Sequence, residues 1–230
     1  MQKNPETGLP QALLDELATR RGRRHVYVDI APKATALVVV DMQNFFVAQE
    51  GYSYVPDAAG VVPAINRLAQ VVRTSGGQVV WVRTTLAAEG RQAWELYFRN
   101  FTPAGQGEQR RVALTPGHRL HEFWPELDIQ SQDLIVDKDR FSAFIEGASD
   151  LEHELRAREL DTLLVTGTLT NVCCESTARD AMMRDFKTVM ISDANAARSL
   201  EDHLAGLRTF VQVFGDVRST EEIIALLEAT

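Results

Sequence analysis

Three side chains that lie far apart in the sequence could together carry out a covalent hydrolysis. They are a carboxylate, Asp41, an ammonium, Lys138, and a thiol, Cys173. A carboxylate can accept a thiol proton, and a neighbouring ammonium stabilises both anions by Coulomb attraction. Taken singly, each residue has an ordinary alternative: a turn aspartate, a surface lysine and an inert core cysteine. Which interpretation applies depends on the strands and helices that position the three residues.

The cysteine follows a predicted strand and a turn. Residues 163–165 are Leu-Leu-Val, a run that is typical of a buried parallel strand, and Gly167 is expected to end it. Helical spacing begins soon afterwards, and Thr170 or Asn171 would be its N-cap. Cys173 then falls in the first helical turn, where free N–H groups and the helix dipole favour an anion. This position predicts a stabilised thiolate, which is how reactive cysteines arise.

The other two residues also stand at the ends of predicted strands. Asp41 follows the apolar run at 36–40, and Lys138 ends the run that begins at Asp133. Buried strands alternate with amphipathic helices along the chain, which indicates a parallel sheet between helix layers. In such a sheet all strand ends lie at one edge, where ligands bind. Asp41, Lys138 and Cys173 are therefore expected to converge.

The predicted fold is α/β, a three-layer αβα sandwich of Rossmann-like type with a six-stranded parallel sheet. The strands are expected at 36–41, 78–84, 133–138, 163–166, 187–192 and 216–219, and the helices at 60–75, 150–160, 172–185, 200–213 and from 220 onward.

Composition limits the classes of function. The chain has 230 residues, a net charge of −8 and two cysteines, which are adjacent and cannot staple a fold. The negative charge argues against a nucleic-acid or anionic-membrane partner, and the free thiols suggest a reducing compartment. No apolar segment resembles a signal peptide or a membrane span, so a cytoplasmic protein is expected.

Residues 1–33 are predicted to form an N-terminal arm, and 34–230 a single domain. The arm contains a short leucine-rich helix and a basic cluster at 20–24. That cluster could bind an anion or a partner, form a solvated charge run, or pack on a neighbouring subunit.

The segment from about 85 to 133 has little regular pattern and many aromatic residues. It is expected to be either a pocket wall or lid, or a satellite core under a long loop. Arg198 follows the fifth strand and should reach the same sheet edge as the three reactive residues. It could contact a substrate there, or it could be a surface charge beside the next helix.

Three motifs resemble those of the isochorismatase-like cysteine hydrolases. They are Val-Val-Asp-Met-Gln-Asn at 39–44, Lys-x-x-x-Ser-Ala-Phe at 138–144, and Gly-x-x-Thr-Asn-x-Cys-x-x-Ser-Thr-Ala-Arg-Asp-Ala at 167–181. Three motifs in the right order are far more specific than one short pattern. The chain is most similar to the amidohydrolase branch, which includes N-carbamoylsarcosine amidases and ureidoacrylate amidohydrolases. The presence of Cys173 favours attack on an amide or ureido carbonyl over isochorismatase-type vinyl ether hydrolysis.

The resemblance implies a catalytic triad of Asp41, Lys138 and Cys173 that acts through a thioester and releases ammonia. It implies an oxyanion hole formed by the N–H groups of Leu169 and Cys173, and a cis peptide bond between Thr168 and Leu169. Cys174 stands where the family has an apolar residue, so a core position is expected. We expect substrate contacts from the residues near the strand ends and from the insert, namely Asn44, Phe46, Trp94, Phe141, Phe144 and Arg198. In N-carbamoylsarcosine amidases an arginine at the same distance beyond the cysteine as Arg198 holds the substrate carboxylate, so the resemblance implies that role here, and a guanidinium can meet two carboxylate oxygens with two parallel N–H groups.

The resemblance also bears on cofactors and partners. Nicotinamidases of this family carry an Asp-x-His metal motif where this chain has Arg83-Thr84-Thr85-Leu86, so no metal and no other cofactor is expected. Ureidoacrylate hydrolases have Asn and Trp in place of Thr84 and Leu86. The expected partners are a small amide or ureido substrate and further copies of the chain, in a dimer or tetramer. A redox or binding module built on the adjacent cysteines, and a catalytically silent scaffold, are the alternatives.

Overall fold

Six parallel strands form one sheet, which confirms the predicted fold class. The structure is a computed structural model that describes residues 2–86 and 94–229. The order across the sheet is β3-β2-β1-β4-β5-β6, with every neighbouring pair parallel. The strands are β1 (Thr35–Val40), β2 (Gln78–Thr84), β3 (Leu134–Lys138), β4 (Thr162–Thr168), β5 (Lys187–Ala196) and β6 (Asp216–Arg218).

Helices cover both faces of this sheet. The described helices are α1 (Gln11–Arg21), α2 (Asn44–Val47), α3 (Val62–Thr74), α4 (Glu95–Asn100), α5 (Gly107–Ala113), α6 (Leu151–Ala157), α7 (Glu175–Met183), α8 (Leu200–Val213) and α9 (Thr220–Glu228). Their buried residues divide between two apolar clusters, one on each face. The cluster of the first face includes residues of α3 and α9, whereas that of the second includes residues of α1, α6, α7 and α8.

The central strand β1 shows how one strand supplies both clusters. Leu37 and Val39 belong to the first cluster, and Ala36, Val38 and Val40 to the second. Alternate side chains of a strand point to opposite faces, so a strand covered on both sides must be apolar throughout. That requirement produces the continuous apolar run of the sequence. None of the helices in the described ranges is long and apolar enough to cross a membrane.

Residues of the N-terminal arm pack on the body of the same chain. Leu9 and Leu17 are buried in the second cluster. Arg20 Nη2 donates to the Gln212 carbonyl at 3.0 Å, and an Arg21 guanidinium nitrogen donates to the Val211 carbonyl at 2.5 Å. The last carbonyls of a helix lack intrahelical donors, and cations are favourable there. Two arginines of the basic cluster therefore bind the C-terminal end of α8.

The main departure from the predicted elements is at β4 and β5. β4 continues through Gly167 to Thr168, and β5 continues to Ala196 instead of ending at residue 192. The pairing register shifts between Val165 and Gly167, and the buried side chain of Asn195 donates to the Val165 carbonyl at 2.9 Å. The strand was predicted to end at 192, but the irregular pairing accommodates the following residues within the sheet.

Candidate active site

Asp41 follows β1 directly and is fully buried. Its backbone has a φ of 53°, a left-handed conformation that costs a non-glycine residue about 1–2 kcal/mol. Two hydrogen bonds hold that conformation: the Asp41 N–H donates to the Val82 carbonyl at 2.8 Å, and Thr168 Oγ1 donates to the Asp41 carbonyl at 3.0 Å. Strained backbone of this kind is typical of functional positions.

Lys138 completes a fully buried ion pair with this carboxylate. Its Nζ donates to Asp41 Oδ2 at 2.7 Å, to Thr84 Oγ1 at 2.8 Å and to the Arg140 carbonyl at 3.1 Å. All three ammonium protons therefore have acceptors. Burial acts to lower the pKa of Lys138, but the charge of the Asp41 carboxylate and its hydrogen bond to Nζ outweigh burial and raise the pKa. The ammonium stays charged at neutral pH.

Thr84 is a member of this site that the sequence analysis did not assign. Its Oγ1 accepts from Lys138 and donates to Asp41 Oδ1 at 2.9 Å, so it links the two charged groups. Gln43 fixes its backbone, because Gln43 Oε1 accepts from the Thr84 N–H at 2.8 Å. Thr84 ends β2, the strand that lies between β1, which leads to Asp41, and β3, which ends at Lys138. This strand-end position is the feature of the sequence that could have identified Thr84. We call Asp41, Thr84, Lys138 and Cys173 the polar cluster.

The backbone before Cys173 is brought close to β1 by Gly167. A Cβ at this position would lie 2.1 Å from the Val40 carbonyl oxygen, and Gly167 has a φ of 110°. Only glycine is compatible with such a contact. The Thr168–Leu169 peptide bond that follows is cis, as the family resemblance implied.

Cys173 lies in a single π-helical turn, Thr170–Cys174, which leads into α7. Leu169 occupies the N-cap position, and no side chain caps this turn. The predicted N-cap at Thr170 or Asn171 is therefore wrong. Thr170 Oγ1 instead forms a hydrogen bond with His203 Nδ1 at 2.8 Å, which ties the turn to α8.

The Cys173 thiol has a pKa well above its ordinary value, so the predicted stabilised thiolate is wrong for the resting state. Burial is the main cause, and the nearby Asp41 carboxylate adds to it. Lys138 and the Leu169 N–H, which hydrogen-bonds the sulfur, act in the opposite direction. Burial outweighs the helix terminus because an anion loses its hydration in the interior. The resting group is a thiol beside a carboxylate.

Cys174 has different surroundings although it is the next residue. Its side chain is fully buried, and its Sγ donates weakly to the Thr166 carbonyl at 3.7 Å. Burial raises its pKa well above the usual value. Cys174 is a core residue, as predicted.

The Cys173 side chain faces a cavity of about 310 Å³. Four predicted substrate-contact residues line it with Leu169, namely Phe46, Trp94, Phe141 and Arg198. Two others are elsewhere: Asn44 Nδ2 donates to the Arg119 carbonyl at 2.8 Å, and the buried Phe144 packs on Phe186 at a ring distance of 5.5 Å. Both side chains therefore contact other parts of the fold instead of the cavity.

The aromatic insert divides into two parts, so each predicted alternative describes one of them. Trp94, Tyr97 and Phe98, around α4, line the cavity, whereas Phe123 and Trp124 pack against the first apolar cluster. Residues 87–93 lie outside the described part of the chain. We call Trp94, Tyr97, Phe98 and Phe141 the aromatic wall.

Comparison with known proteins places this chain in a family. The model of the Isochorismatase domain matches residues 35–222. The ureidoacrylate amidohydrolase RutB of Acinetobacter baylyi is 32% identical over 213 residues, which cover 86% of this chain and 85% of that protein.

Solved structures agree with this match. A cysteine hydrolase from Pseudomonas syringae pv. phaseolicola 1448A superposes with a TM-score of 0.80 at 34% identity, covering 89% of this chain and 97% of that one. The N-carbamoylsarcosine amidase of Thermoplasma acidophilum gives a TM-score of 0.66 at 26% identity, covering 81% and 96%. The chain therefore belongs to the isochorismatase family of hydrolases.

Proposed function

We propose that this protein is a cysteine-dependent amidohydrolase that cleaves a C–N bond of a small amide or ureido compound and releases ammonia. The observation that carries the proposal is the buried Asp41–Lys138 pair, 2.7 Å apart, whose two charges both act on the Cys173 thiol at the cavity. A nucleophile hydrogen-bonded to a base, with the base oriented by a third group, is the arrangement that activates nucleophiles in general.

The first half of the reaction acylates the sulfur. The thiol proton moves to Asp41 as Sγ attacks the carbonyl carbon, and Lys138 keeps the protonated carboxyl and the sulfur in place. The N–H groups of Leu169 and Cys173 stabilise the resulting oxyanion. The C–N bond then breaks, the nitrogen takes the proton from Asp41, and ammonia leaves a thioester on Cys173.

The second half restores the enzyme. Water attacks the thioester carbonyl and gives a proton to Asp41, the C–S bond breaks, and the thiolate recovers a proton from that carboxyl. The raised pKa of the Cys173 thiol suits this cycle, because the sulfur ends each turnover protonated and Asp41 ends it ionised. No external proton donor is needed between the two halves.

The relatives and the cavity suggest the class of substrate. One relative is a ureidoacrylate amidohydrolase and one structural neighbour an N-carbamoylsarcosine amidase. Arg198 lines the same cavity as Cys173, in a position to bind a substrate carboxylate. Thr84 stands where the ureidoacrylate hydrolases have asparagine, and it bonds to Asp41 and Lys138, so the resemblance does not assign ureidoacrylate as this chain's substrate.

The test is an ammonia-release screen over primary amides, N-carbamoyl amines and ureido acids. The wild type should release ammonia from at least one compound, Cys173→Ala should lose at least about a thousandfold in kcat, and Asp41→Asn should lose a similar factor. Cys174→Ala is the matched control and should keep most of the activity. Equal losses in the two cysteine variants, or turnover that survives Cys173→Ala, would refute the assignment.

A further inference from the structure

Two guanidinium groups in the cavity have no acidic partner. Arg110, on α5, and Arg198, after β5, both line it, and neither forms an ion pair within residues 2–86 and 94–229. By contrast Arg111, the next residue of α5, forms an ion pair: its Nε lies 3.8 Å from Glu108 Oε2. The acid that lines the cavity, Asp202, accepts a hydrogen bond from Ser199 Oγ at 2.8 Å.

The contacts of Arg110 orient its charge without neutralising it. Its guanidinium lies over the Tyr52 ring, 5.5 Å from the centroid, and Nη1 approaches Ser53 Oγ at 3.3 Å. Its Nε is buried and has no hydrogen-bond partner among the described residues. Holding a cation in this way at a cavity is costly unless an anion also binds there.

The Tyr97 hydroxyl belongs to the same region. Burial raises the pKa of Tyr97; Arg110 and Arg198 act to lower it, and Cys173 acts to raise it. The phenol therefore stays protonated at neutral pH and can donate a hydrogen bond. Tyr97 lines the same cavity as both arginines and Cys173.

We propose that Tyr97 and Arg110 of the insert complete a carboxylate subsite with Arg198, so that the substrate is a small amide or ureido acid. The inference rests on the proposed hydrolysis and specifies its substrate class. Two planar guanidinium groups and a phenol supply enough hydrogen-bond donors to satisfy both oxygens of a carboxylate. An arginine can donate two parallel N–H groups to those two oxygens. Arg110, which no sequence motif marked, is assigned as a specificity-determining residue.

The first experiment measures binding without turnover. The full-length Cys173→Ala protein is titrated by calorimetry with ureido acids that have one to four methylene groups between the ureido nitrogen and the carboxylate, and with the neutral alcohols of the same lengths. At least one acid should bind about tenfold or more tightly than its alcohol, as expected for charge-assisted hydrogen bonds. Adding Arg110→Gln should remove most of that preference.

Two further variants control the result. Arg111→Gln changes the next residue of α5, which lies outside the cavity lining of the described chain, and should leave the preference unchanged. Arg110→Lys keeps the charge but not the fork, so it should retain part of the preference. Tyr97→Phe should weaken binding of the acid by a few-fold and leave binding of the alcohol unchanged.

The outcomes separate this inference from the proposed function. If acids and alcohols bind equally, or if Arg110→Gln weakens both alike, the carboxylate subsite is refuted even when ammonia release is normal. If the acid preference depends on Arg110 but no compound releases ammonia from the wild type, the subsite stands as a binding site and the hydrolase assignment fails.

Discussion

The polar cluster and the aromatic wall face the same cavity but are built on opposite principles. In the polar cluster, Asp41 and Lys138 are completely buried, and each charged atom has a hydrogen-bond partner. In the aromatic wall, partly exposed rings contact one another: Trp94 stacks on Tyr97 at 4.5 Å and meets Phe141 edge-on at 4.7 Å. Fixed donors and acceptors suit proton transfer, whereas stacked rings supply apolar contact area.

The origin of the two regions differs as well. Asp41, Thr84 and Lys138 stand at the ends of three adjacent strands whose register is set by the sheet, with Thr84 directly opposite Lys138. Three residues of the wall come from the irregular insert and one from the loop after β3. Function in α/β proteins is commonly divided in this way, with the reaction centre on rigid elements and selectivity on loops. Mutation should therefore change kcat in one region and KM in the other.

Removal of Lys138 should have the largest effect. Lys138→Ala leaves the Asp41 carboxylate buried without a counter-charge, so we expect kcat to fall at least about a hundredfold and the free energy of unfolding to drop by about 3–5 kcal/mol. Ammonia release and denaturant titration measure the two quantities. Arg83→Ala, which removes a half-buried ion-pair partner of Asp137 at the surface of β2, is the control and should leave kcat unchanged. A stable, active Lys138→Ala protein would contradict the role given to the polar cluster.

The raised pKa of the Cys173 thiol should be visible in the pH dependence of its alkylation. Because burial and Asp41 hold Cys173 protonated, its thiolate fraction should rise about tenfold per pH unit across the neutral range. Alkylation by a neutral haloacetamide, followed by mass spectrometry of the Cys173 peptide, should accelerate from pH 6 to pH 9 without a plateau. A plateau below pH 8 would mean that the resting group is a thiolate.

Thr84→Val tests the link between the two charges. The valine keeps the shape of the side chain but removes the hydroxyl that joins Lys138 to Asp41, so kcat should fall about tenfold with little change in KM. Thr85→Val is a matched control, because the Thr85 hydroxyl bonds to His121 Nε2 at 2.8 Å and not to the polar cluster. Equal effects of the two substitutions would assign Thr84 a purely structural role.

Changes in the aromatic wall should be the smallest. Trp94→Ala removes apolar area from the cavity, so KM should rise about three- to tenfold while kcat stays within about twofold. Leu96→Ala is the control, because Leu96 lies in the adjoining helix with 63% of its surface exposed. If Trp94→Ala lowers kcat as strongly as Thr84→Val does, the division between the two regions is wrong.

The sequence by itself determined the fold class and the places of Asp41, Lys138 and Cys173 at or after the ends of predicted strands. A strand segment buried on both faces is rich in apolar residues, which makes β1, residues 79–82 of β2 and residues 163–165 of β4 visible without any structure. Parallel strand ends meet at one edge, so Asp41 and Lys138 could be brought together by topology alone. Cys174 was assigned to the core by its place in the motif, and the structure agrees.

Only the tertiary structure decided how those groups are paired and what surrounds them. Thr84 became part of the site because its hydroxyl lies between two charges that are 97 residues apart in sequence. The thiol pKa depended on burial, which no local pattern specifies, and it rose where the helix terminus alone predicted a fall. Asn44 and Phe144 flank the reactive residues in sequence but turn toward the scaffold, while Arg110 reaches the cavity from the insert. Side-chain direction in loops is set by long-range packing, and sequence spacing does not encode it.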